Sequence, residues 1–281
     1  MSLKTNLLRF LLINQTVEIF TKMSLAKFQK RIAVNGLYGA IKISLSKTGI
    51  KHRRKTIFSL KNAEDRFTKI YNTNHWNDLE TRSGEGSTLE NTRGIRSALP
   101  KLFKKYEIKT ILDAPCGDFN WMQNVIQETS ISYTGGDIVR PLIEKNQAKY
   151  QSNRVTFVHL DLTKGPIPKA DLMFCRDCLF HLSYIDIAAA LENFLIAQIP
   201  LLLTTTSAHP NATRLNNFDI KTGDMRLIDL FSEPFGLSKT NILDTIDDHM
   251  VSLDAERSMV LLHCSEVNEI YKNLTKAITN Y

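Results

Sequence analysis

The chain has 281 residues, of which 43% are hydrophobic, so it can bury the core of one large domain. This composition excludes a disordered chain, and the four cysteines, Cys116, Cys175, Cys178 and Cys264, lack the spacing of a disulfide framework or of a zinc site. We therefore expect a globular protein of a reducing, cytoplasmic compartment, without a bound metal.

Charge is distributed unevenly along the chain. Residues 1–61 hold thirteen Lys and Arg against one acidic residue, Glu18, whereas residues 62–281 hold twenty-three against twenty-eight. We interpret residues 1–61 as a basic N-terminal extension and residues 62–281 as the main domain. An anionic partner, such as a lipid surface or a nucleic acid, suits the extension, and a solvated helical face explains the same charges equally well.

The extension contains the apolar run "LLRFLLINQTVEIF". This run is too short, and too often interrupted by polar residues, to span a membrane, and no cleavage site of a signal peptide follows it. Its apolar positions suit an amphipathic helix that packs onto the domain or lies on a membrane surface. Peripheral membrane contact through residues 1–61 is therefore an alternative to a purely cytoplasmic location.

The segment from His75 to Tyr106 connects the extension to the predicted sheet. It begins with a Gly/Ser-rich loop, "RSGEGSTLENT", and continues as a helix with apolar residues on one face. Ser87 or Thr88 is suited to cap that helix. Trp76, just before the loop, either fills the core or covers a pocket as a lid, and we expect it in the core. The residues of the apolar face are Ile95, Leu99, Leu102 and Phe103.

From about residue 107 the chain alternates short apolar runs with longer helical stretches. The predicted strands are "KTILDA", "SYTGGDIV", "RVTFVHLD", "ADLMFC" and "PLLLTTT", and the predicted helices are "WMQNVIQE", "RPLIEKNQAKY" and "YIDIAAALENFLIAQ". This alternation implies crossover connections and a parallel sheet that is covered on both faces. The last apolar runs, "NILDTI" and "RSMVLLHC", are close together, which favours an antiparallel pair. We therefore predict an α/β fold with an antiparallel last strand.

Acidic residues follow three successive predicted strands, at Asp113, Asp137 and Asp161. The carboxyl ends of parallel strands meet at one edge of the sheet, where such folds bind their ligands. Asp137 lies twenty-four residues after Asp113, close to the offset of about 20 at which an acidic residue meets ribose hydroxyls in nucleotide-binding folds. Gly117 permits close approach of a ligand to the backbone.

Phosphate binding at this edge is disfavoured. The chain has no G-x-x-x-x-G-K-[ST] run, the turn after the first strand lacks the three glycines of a dinucleotide site, and Pro115 removes a backbone donor. A carboxylate at Asp113 would also repel an anion. The residues are better suited to a cationic ligand that bears a diol and no phosphate.

The stretch "ILDAPCGDF" resembles the first motif of class I S-adenosylmethionine-dependent methyltransferases, usually D-x-G-x-G-x-G. Asp113, Cys116 and Gly117 occupy matching positions, whereas Pro115 and Phe119 stand where glycines are usual. The stretches "YTGGDIVRPLIEKNQAKY", "FVHLDLTK" and "ADLMFCRDCLFHLS" are similar to the family's second, third and fourth strands with the segments that follow them. Because both glycine positions differ, a non-catalytic binding module with this fold remains an alternative.

The resemblance covers roughly residues 68–265. It implies a Rossmann-like, seven-stranded, mostly parallel sheet with an antiparallel last strand and helices on both faces, and S-adenosyl-L-methionine as cofactor. More narrowly, the chain resembles a group of bacterial and algal proteins with the motifs SGxGS, PCGDFNW and CRDCLxHL, which are described only as methyltransferases.

The resemblance also assigns residues to the cofactor. It implies that Asp137 binds the ribose and that Asp161 meets the adenine amino group. The Gly/Ser-rich loop is expected to wrap the methionine end of the cofactor, with Arg96 or Arg93 meeting its carboxylate. The residues expected to bind the cofactor are Asp113, Cys116, Gly117, Asp137, Ile138, Asp161, Leu162, Arg176, Ser83, Gly84 and Arg96.

Two residues after the fourth strand, Asp177 and His181, are the candidate catalytic pair. Methyl transfer to a hydroxyl normally requires a general base or a metal, and the spacing of four residues puts both side chains on one face of a helical turn. We expect His181 to take the hydroxyl proton while Asp177 orients its ring. The alternatives are a structural histidine, and an ion pair between Arg176 and Asp177.

We expect a methyltransferase that acts on a hydroxyl of a sugar, a glycan or another small molecule. The long polar loops after the fifth strand, with His209, Asp224 and Arg226, are the candidate acceptor contacts. An RNA methyltransferase that uses residues 1–61 to bind phosphates is the alternative, although the extension lacks a repeated pattern of aromatic residues for base stacking.

Overall fold

A computed structural model describes residues 56–208, 217–248 and 256–280. The chain divides into two compact units, Met1–Leu60 and Lys61–Tyr281. Most of the first unit lies outside the described residues, as do the predicted amphipathic helix and His209. The description that follows concerns the second unit.

The second unit alternates strands and helices. Its helices are α1 (Ala63–Asn72), α2 (Arg93–Lys105), α3 (Met122–Gln127), α4 (Arg140–Tyr150), α5 (Tyr184–Ile196) and α6 (Cys264–Thr279). Its strands are β1 (Thr110–Asp113), β2 (Ser132–Asp137), β3 (Val155–His159), β4 (Leu172–Cys175), β5 (Leu201–Ala208), β6 (Asp244–Asp247) and β7 (Glu256–His263). Short 3-10 helices cover Glu85–Ser87, Leu179–His181 and Lys239–Asn241. Within the described ranges, no helix combines the length and the hydropathy needed to cross a membrane.

The strands form one seven-stranded sheet in the order β3-β2-β1-β4-β5-β7-β6. Strand β7 runs antiparallel to both β5 and β6, and the remaining neighbours pair in parallel. This arrangement confirms the predicted α/β fold with its antiparallel last strand. The strand order reverses between β1 and β4, so the carboxyl ends of these strands border the crevice in which such sheets bind ligands.

Apolar side chains are buried on both faces of the sheet. In β1, Ile111 packs with residues of α2, α3 and α4, whereas its neighbour Leu112 packs on the opposite face with residues of α5 and α6. This alternation follows from the period of two residues in a strand. The predicted apolar face of α2 is buried as expected, and it consists of Ile95, Leu99, Leu102 and Phe103.

Polar caps define where two of the helices begin. The side chain of Asn62 accepts a hydrogen bond from the Asp65 amide at the start of α1, and Ser183 does the same for Asp186 at the start of α5. Thr88 makes a capping contact, because its hydroxyl accepts from the Asn91 amide at 3.2 Å, but α2 itself begins only at Arg93, after a 3-10 turn and without a side-chain cap.

Phe119, which replaces a usual glycine, has the left-handed backbone conformation that glycine favours, with φ of 58°. Its ring is 4% exposed and lies 4.8 Å from the ring of Tyr133, 5.1 Å from that of Tyr150 and 5.2 Å from that of Phe157. The contacts with these aromatic rings offset the unfavourable backbone conformation.

We expect Phe119→Ala to lower the free energy of unfolding by about 3–5 kcal/mol, because it empties the centre of this aromatic cluster and leaves a side chain in the left-handed conformation. Urea denaturation measures the change. Phe218→Ala is the control, because Phe218 is 58% exposed. Equal losses in the two variants would show that the cluster does not hold the turn after β1.

Candidate active site

A cavity of about 360 Å³ lies at the carboxyl edge of the sheet. Its volume falls in the range of about 300–1,000 Å³ that is typical of small-molecule sites. The walls come from the ends of the first four strands, from α1 and from the loop before α2. The predicted site residues that line it are Ser83, Gly84, Asp113, Cys116, Gly117, Asp137, Ile138, Asp161, Leu162, Arg176, Asp177 and His181.

Gly117 brings the turn after β1 into contact with the loop before α2. Its φ is 54°, and a Cβ atom at this position would lie 2.3 Å from Oγ of Ser83. Only glycine therefore fits here without displacing the loop. The Ser83 hydroxyl accepts a hydrogen bond from the Asp118 amide at 3.0 Å and donates one to the Asp118 carboxylate at 3.1 Å.

Asp118 anchors this loop, a role that the sequence analysis missed. Besides Ser83, its carboxylate accepts hydrogen bonds from the Thr81 hydroxyl at 2.8 Å and from the Arg82 amide at 2.9 Å. Asp118 itself does not line the cavity, whereas Arg82 and Ser83 do. It therefore acts on the site by holding the loop in place. The motif PCGDFNW contains Asp118, but no local pattern shows which loop it holds.

Asn120 adds a second attachment between the same two segments. Its amide group donates to the Glu80 carboxylate at 2.6 Å and to the backbone carbonyl of Ser87 at 3.1 Å. The loop that lines the cavity is thus held near both of its ends by the turn after β1.

Two buried carboxyl groups face the cavity from the ends of β1 and β2. Burial raises the pKa of Asp113 to about 8, although the Tyr133 hydroxyl donates a hydrogen bond to it at 2.7 Å. Burial raises the pKa of Asp137 to about 6, despite hydrogen bonds from the amides of Val139 at 2.9 Å and Gly117 at 3.2 Å. At neutral pH Asp113 is therefore mostly protonated and Asp137 mostly ionised in the ligand-free protein.

Asp161, which follows β3, is held by a threonine and a lysine that lie close to it in the chain. One oxygen accepts hydrogen bonds from the amide and the hydroxyl of Thr163, at 3.0 and 2.7 Å, and the other pairs with Lys164 at 2.8 Å. Burial raises the pKa of Asp161, but the contacts with Lys164 and Thr163 outweigh it and hold the pKa below its usual range. An ionised Asp161 therefore lines the cavity.

The cavity residues fit S-adenosylmethionine. Asp137 offers a carboxylate that can accept hydrogen bonds from a diol, and the apolar residues Ile138 and Leu162 also line the cavity. The buried carboxyl groups suit a cation, and Gly117 leaves space that a Cβ would fill. The individual contacts of these residues with the cofactor remain predictions.

The structure does not support Arg96 as a partner of the cofactor carboxylate. Arg96 does not line the cavity, and its guanidinium donates to the backbone carbonyl of Leu89 at 2.7 Å. Arg93 forms an exposed ion pair with Glu90. The inward face of α2 is apolar, so both arginines lie off that face. Arg82, at the start of the loop, lines the cavity instead.

The expected pairing of Asp177 with His181 is wrong, because two arginines engage Asp177. Its carboxylate lies 3.2 Å from Nη1 of Arg176 and 3.0 Å from Nη1 of Arg257. Burial raises the pKa of Asp177, but these two guanidinium groups outweigh it and hold the pKa below its usual range. The alternative of an ion pair between Arg176 and Asp177 is therefore the correct one.

Asp248 completes this ion network. It accepts two hydrogen bonds from Arg176, both at 2.9 Å, and one from Arg257 at 2.7 Å. The two arginines and two aspartates balance in charge, and Arg176, Asp248 and Arg257 are almost fully buried. The network fixes the end of β4 to the segments at β6 and β7. Sequence reasoning missed Asp248 and Arg257, which are more than seventy residues from Arg176.

His181 lines the cavity, and a hydrogen bond to a backbone carbonyl orients its ring. Nδ1 lies 2.8 Å from the carbonyl oxygen of Asp224. Because a carbonyl can only accept, Nδ1 carries the proton and Nε2 keeps its lone pair. Burial lowers the pKa of His181, and the Asp224 carbonyl and the Asp177 charge oppose this only in part. The imidazole is therefore neutral at pH 7 and can accept a proton.

Aromatic rings surround His181. The ring centroid of Phe180 lies 4.6 Å away, that of Trp76 5.7 Å and that of Phe67 6.4 Å. All three line the same cavity. Trp76 is 37% exposed, so the expectation that it fills the core is wrong. Of the late-loop candidates, Asp224 contacts His181 through its backbone, and Arg226 is buried and does not line the cavity.

Residues 111–197 match a family model described as a methyltransferase domain. Among similar solved structures, human N-acetylserotonin methyltransferase in complex with S-adenosylmethionine has 14% sequence identity and a TM-score of 0.53, and the match covers 80% of this chain and 69% of that one. PigF with S-adenosylhomocysteine has 13% identity and a TM-score of 0.52, with 77% and 68% covered. No curated protein sequence matches the chain.

The solved structures confirm the predicted fold, and the match over residues 111–197 agrees with the predicted enzyme class. The shared fold is the Rossmann-like sheet that the resemblance implied. The narrower group with the motifs SGxGS and CRDCLxHL stays a prediction.

We expect Asp113→Asn to stabilise the protein at pH 8 and to weaken cofactor binding. The folded-state pKa of about 8 lies above the ordinary value of 3.8, so the stability that Asp113 contributes is complete below pH 4 and is lost as the pH rises towards 8. Asparagine removes this loss, and the melting temperature at pH 8 should rise by about 3 °C or more.

Calorimetry at pH 4 and pH 8 measures the stability change, which should be present only at the higher pH. Titration at pH 8 should show a larger loss of affinity for S-adenosylmethionine, which carries a sulfonium charge, than for S-adenosylhomocysteine, whose sulfur is neutral. An equal change in melting temperature at both values would contradict the assignment of a raised pKa to Asp113.

We expect Asp118→Ala to weaken S-adenosylhomocysteine binding by roughly tenfold, the loss that 1.4 kcal/mol produces, because the loop that lines the cavity is released. Asp171→Ala is the matched control. The Asp171 carboxylate also holds a distant segment, by accepting two backbone amides at 2.9 and 2.8 Å, but it does so at the opposite edge of the sheet. Equal affinities in the two variants would show that the Asp118 contacts do not shape the site.

Proposed function

We propose that the protein is an O-methyltransferase that uses S-adenosylmethionine to methylate a hydroxyl of a sugar, a glycan or another small molecule. The observation that carries this proposal is the neutral His181, which lines the cavity with Nδ1 protonated and Nε2 able to accept a proton.

A base is useful only for some methyl acceptors. A thiolate or an unprotonated nitrogen is nucleophilic enough to react without losing a proton first, and positioning supplies most of its acceleration. A hydroxyl has a high pKa and must lose its proton as the new bond to carbon forms. A neutral imidazole at the cavity that fits the cofactor therefore favours a hydroxyl acceptor.

One group of cavity residues binds the cofactor, and another binds the acceptor. When bound, S-adenosylmethionine supplies an activated methyl group on its sulfonium. Asp137 and its apolar neighbours hold and orient that ligand, and the buried Asp113 becomes a favourable partner for its positive charge when ionised. His181 holds the acceptor hydroxyl and takes its proton at Nε2. The ion network around Arg176 keeps this wall of the cavity rigid.

The apolar wall beside His181 supports an acceptor that contains a ring. Phe67, Trp76, Phe180 and Met225 line the cavity there. Such side chains gain by covering the C–H face of a sugar as well as a flat aromatic ring.

The two alternatives receive less support from the described residues. The RNA alternative depends on residues 1–61, of which residues 1–55 lie outside the described ranges. The non-catalytic alternative relied on Pro115 and Phe119 as departures from the usual glycines, and Pro115 lines the cavity without filling it. The Phe119 ring packs in the aromatic cluster and does not line the cavity, so it does not close the cofactor site.

We expect His181→Gln to lower the rate of methyl transfer by about 100-fold or more without changing the affinity for S-adenosylhomocysteine. The rate of the wild type should fall as the pH is lowered through the pKa of His181, which lies below its ordinary value, because protonation removes the base. The assay follows tritiated methyl groups into three separate acceptor pools: saccharides, phenolic small molecules and RNA.

The matched control is His263→Gln, because His263 caps α6 at the opposite edge of the sheet. Full activity of His181→Gln on a hydroxyl acceptor would contradict the proposed base. Label that enters only RNA would replace the small-molecule proposal with the RNA alternative.

A further inference from the structure

We propose that Thr222–Arg226 forms a clasp that fixes the ring of His181 in its orientation, and that Arg226 is the central positioning residue of this clasp. This proposal rests on the proposed role of His181 as a base. It gives a role to Arg226, a buried side chain that takes no direct part in the reaction.

The clasp contacts the His181 ring and the backbone of the residues next to it in the chain. The Gly223 amide donates to the His181 carbonyl at 2.8 Å, and the Asp224 carbonyl accepts from the His181 ring at 2.8 Å. The backbone and side chain of Arg226 reach the carbonyls on either side, at Phe180 and Leu182, with distances of 3.1 and 2.7 Å. The ring and its flanking backbone are therefore held by one short segment.

The start of the clasp is attached to α5. The Thr222 hydroxyl accepts a hydrogen bond from the Ser183 amide at 2.8 Å and donates to the Asp186 carboxylate. Ser183 in turn caps α5. Because α5 packs on the sheet through buried side chains, the clasp transmits the rigidity of the core to the turn that carries His181.

Arg226 carries a buried positive charge with few partners. The residue is 3% exposed, and Nε and Nη2 have no hydrogen-bond partner among the described residues. Its Cζ lies 5.2 Å from the centroid of the Tyr184 ring. The charge of Asp219 favours the guanidinium, but no ion pair joins the two within the described part of the chain. Burying a charge with so few partners is costly, and an apolar side chain of similar size would avoid that cost. A role for the charge itself explains why an arginine stands here.

That role is to balance the acidic groups that face His181. The charges of Asp177 and Asp224 favour the protonated imidazole, whereas burial and the positive charge of Arg226 favour the neutral one. The guanidinium also donates a hydrogen bond to the Leu182 carbonyl, so the turn that carries His181 cannot rotate without breaking this hydrogen bond. Arg226 therefore helps to hold the orientation of the ring, and it adds to the effect of burial in favouring the neutral form that a base requires.

The test compares Arg226→Met, which removes the charge, with Arg226→Lys, which keeps it. Arg154→Met is the matched control, because Arg154 also donates to a backbone carbonyl, of Thr129 at 2.8 Å, but at the other end of the sheet. Imidazole nitrogen-15 resonances of His181, assigned with His181→Gln, report the tautomer and the titration of the ring in the full-length protein.

We expect the wild type, Arg154→Met and Arg226→Lys to keep the Nδ1-protonated tautomer and a His181 pKa below its ordinary value. In Arg226→Met, His181 should titrate at a higher pH and populate both tautomers. If that variant does not fold, Arg226→Gln serves instead, since it is also neutral and can still donate to Leu182. Identical titration in the neutral variants and in Arg154→Met would overturn the proposal.

The outcome separates this proposal from the proposed function. A shifted titration in a protein that methylates no hydroxyl would leave the clasp in place and remove the O-methyltransferase. Methyl transfer that depends on His181, without a shift in the Arg226 variants, would keep the function and remove the clasp.

Discussion

Burial of the carboxyl groups at the ends of β1 and β2 is the constraint on which the whole site depends. Asp113 and Asp137 are both less than 10% exposed, and the loss of water raises their pKa values to about 8 and about 6. Hydrogen bonds from the Tyr133 hydroxyl and from two backbone amides offset this cost only in part. Such a cost is tolerated where the buried carboxyl groups bind a ligand that carries a positive charge and hydroxyl groups.

The residues around these carboxyl groups are held by segments that are distant in the chain. Asp118 holds the loop before α2, the Arg176 network ties β4 to β7, and Thr222–Arg226 holds the turn of His181. Each attachment uses several hydrogen bonds to backbone or to opposite charge. The cavity is therefore bordered by rigid walls, which suits a reaction that gains most from positioning its reactants.

The fold could be predicted because its signals are local. Apolar runs with helical or strand periodicity, and acidic residues at strand ends, are visible in short windows around Ile111 or Leu142. Partners such as Asp248 for Arg176, or the Asp224 carbonyl for His181, could not be predicted, because tertiary packing joins residues forty or more positions apart. The structure does not support the prediction that Arg96 contacts the cofactor. Helical periodicity specifies the buried face of α2, but it does not show what the residues on the other face contact.

The most direct test of the account is titration of the purified protein with S-adenosylhomocysteine, in parallel with Asp137→Ala. The account predicts saturable one-to-one binding to the wild type and at least about a tenfold loss, or roughly 1.4 kcal/mol, in the variant. Thermal unfolding shows whether the variant is folded. No binding to a folded wild type, or equal affinity in a folded Asp137→Ala variant, would contradict the claim that this edge of the sheet is the cofactor site.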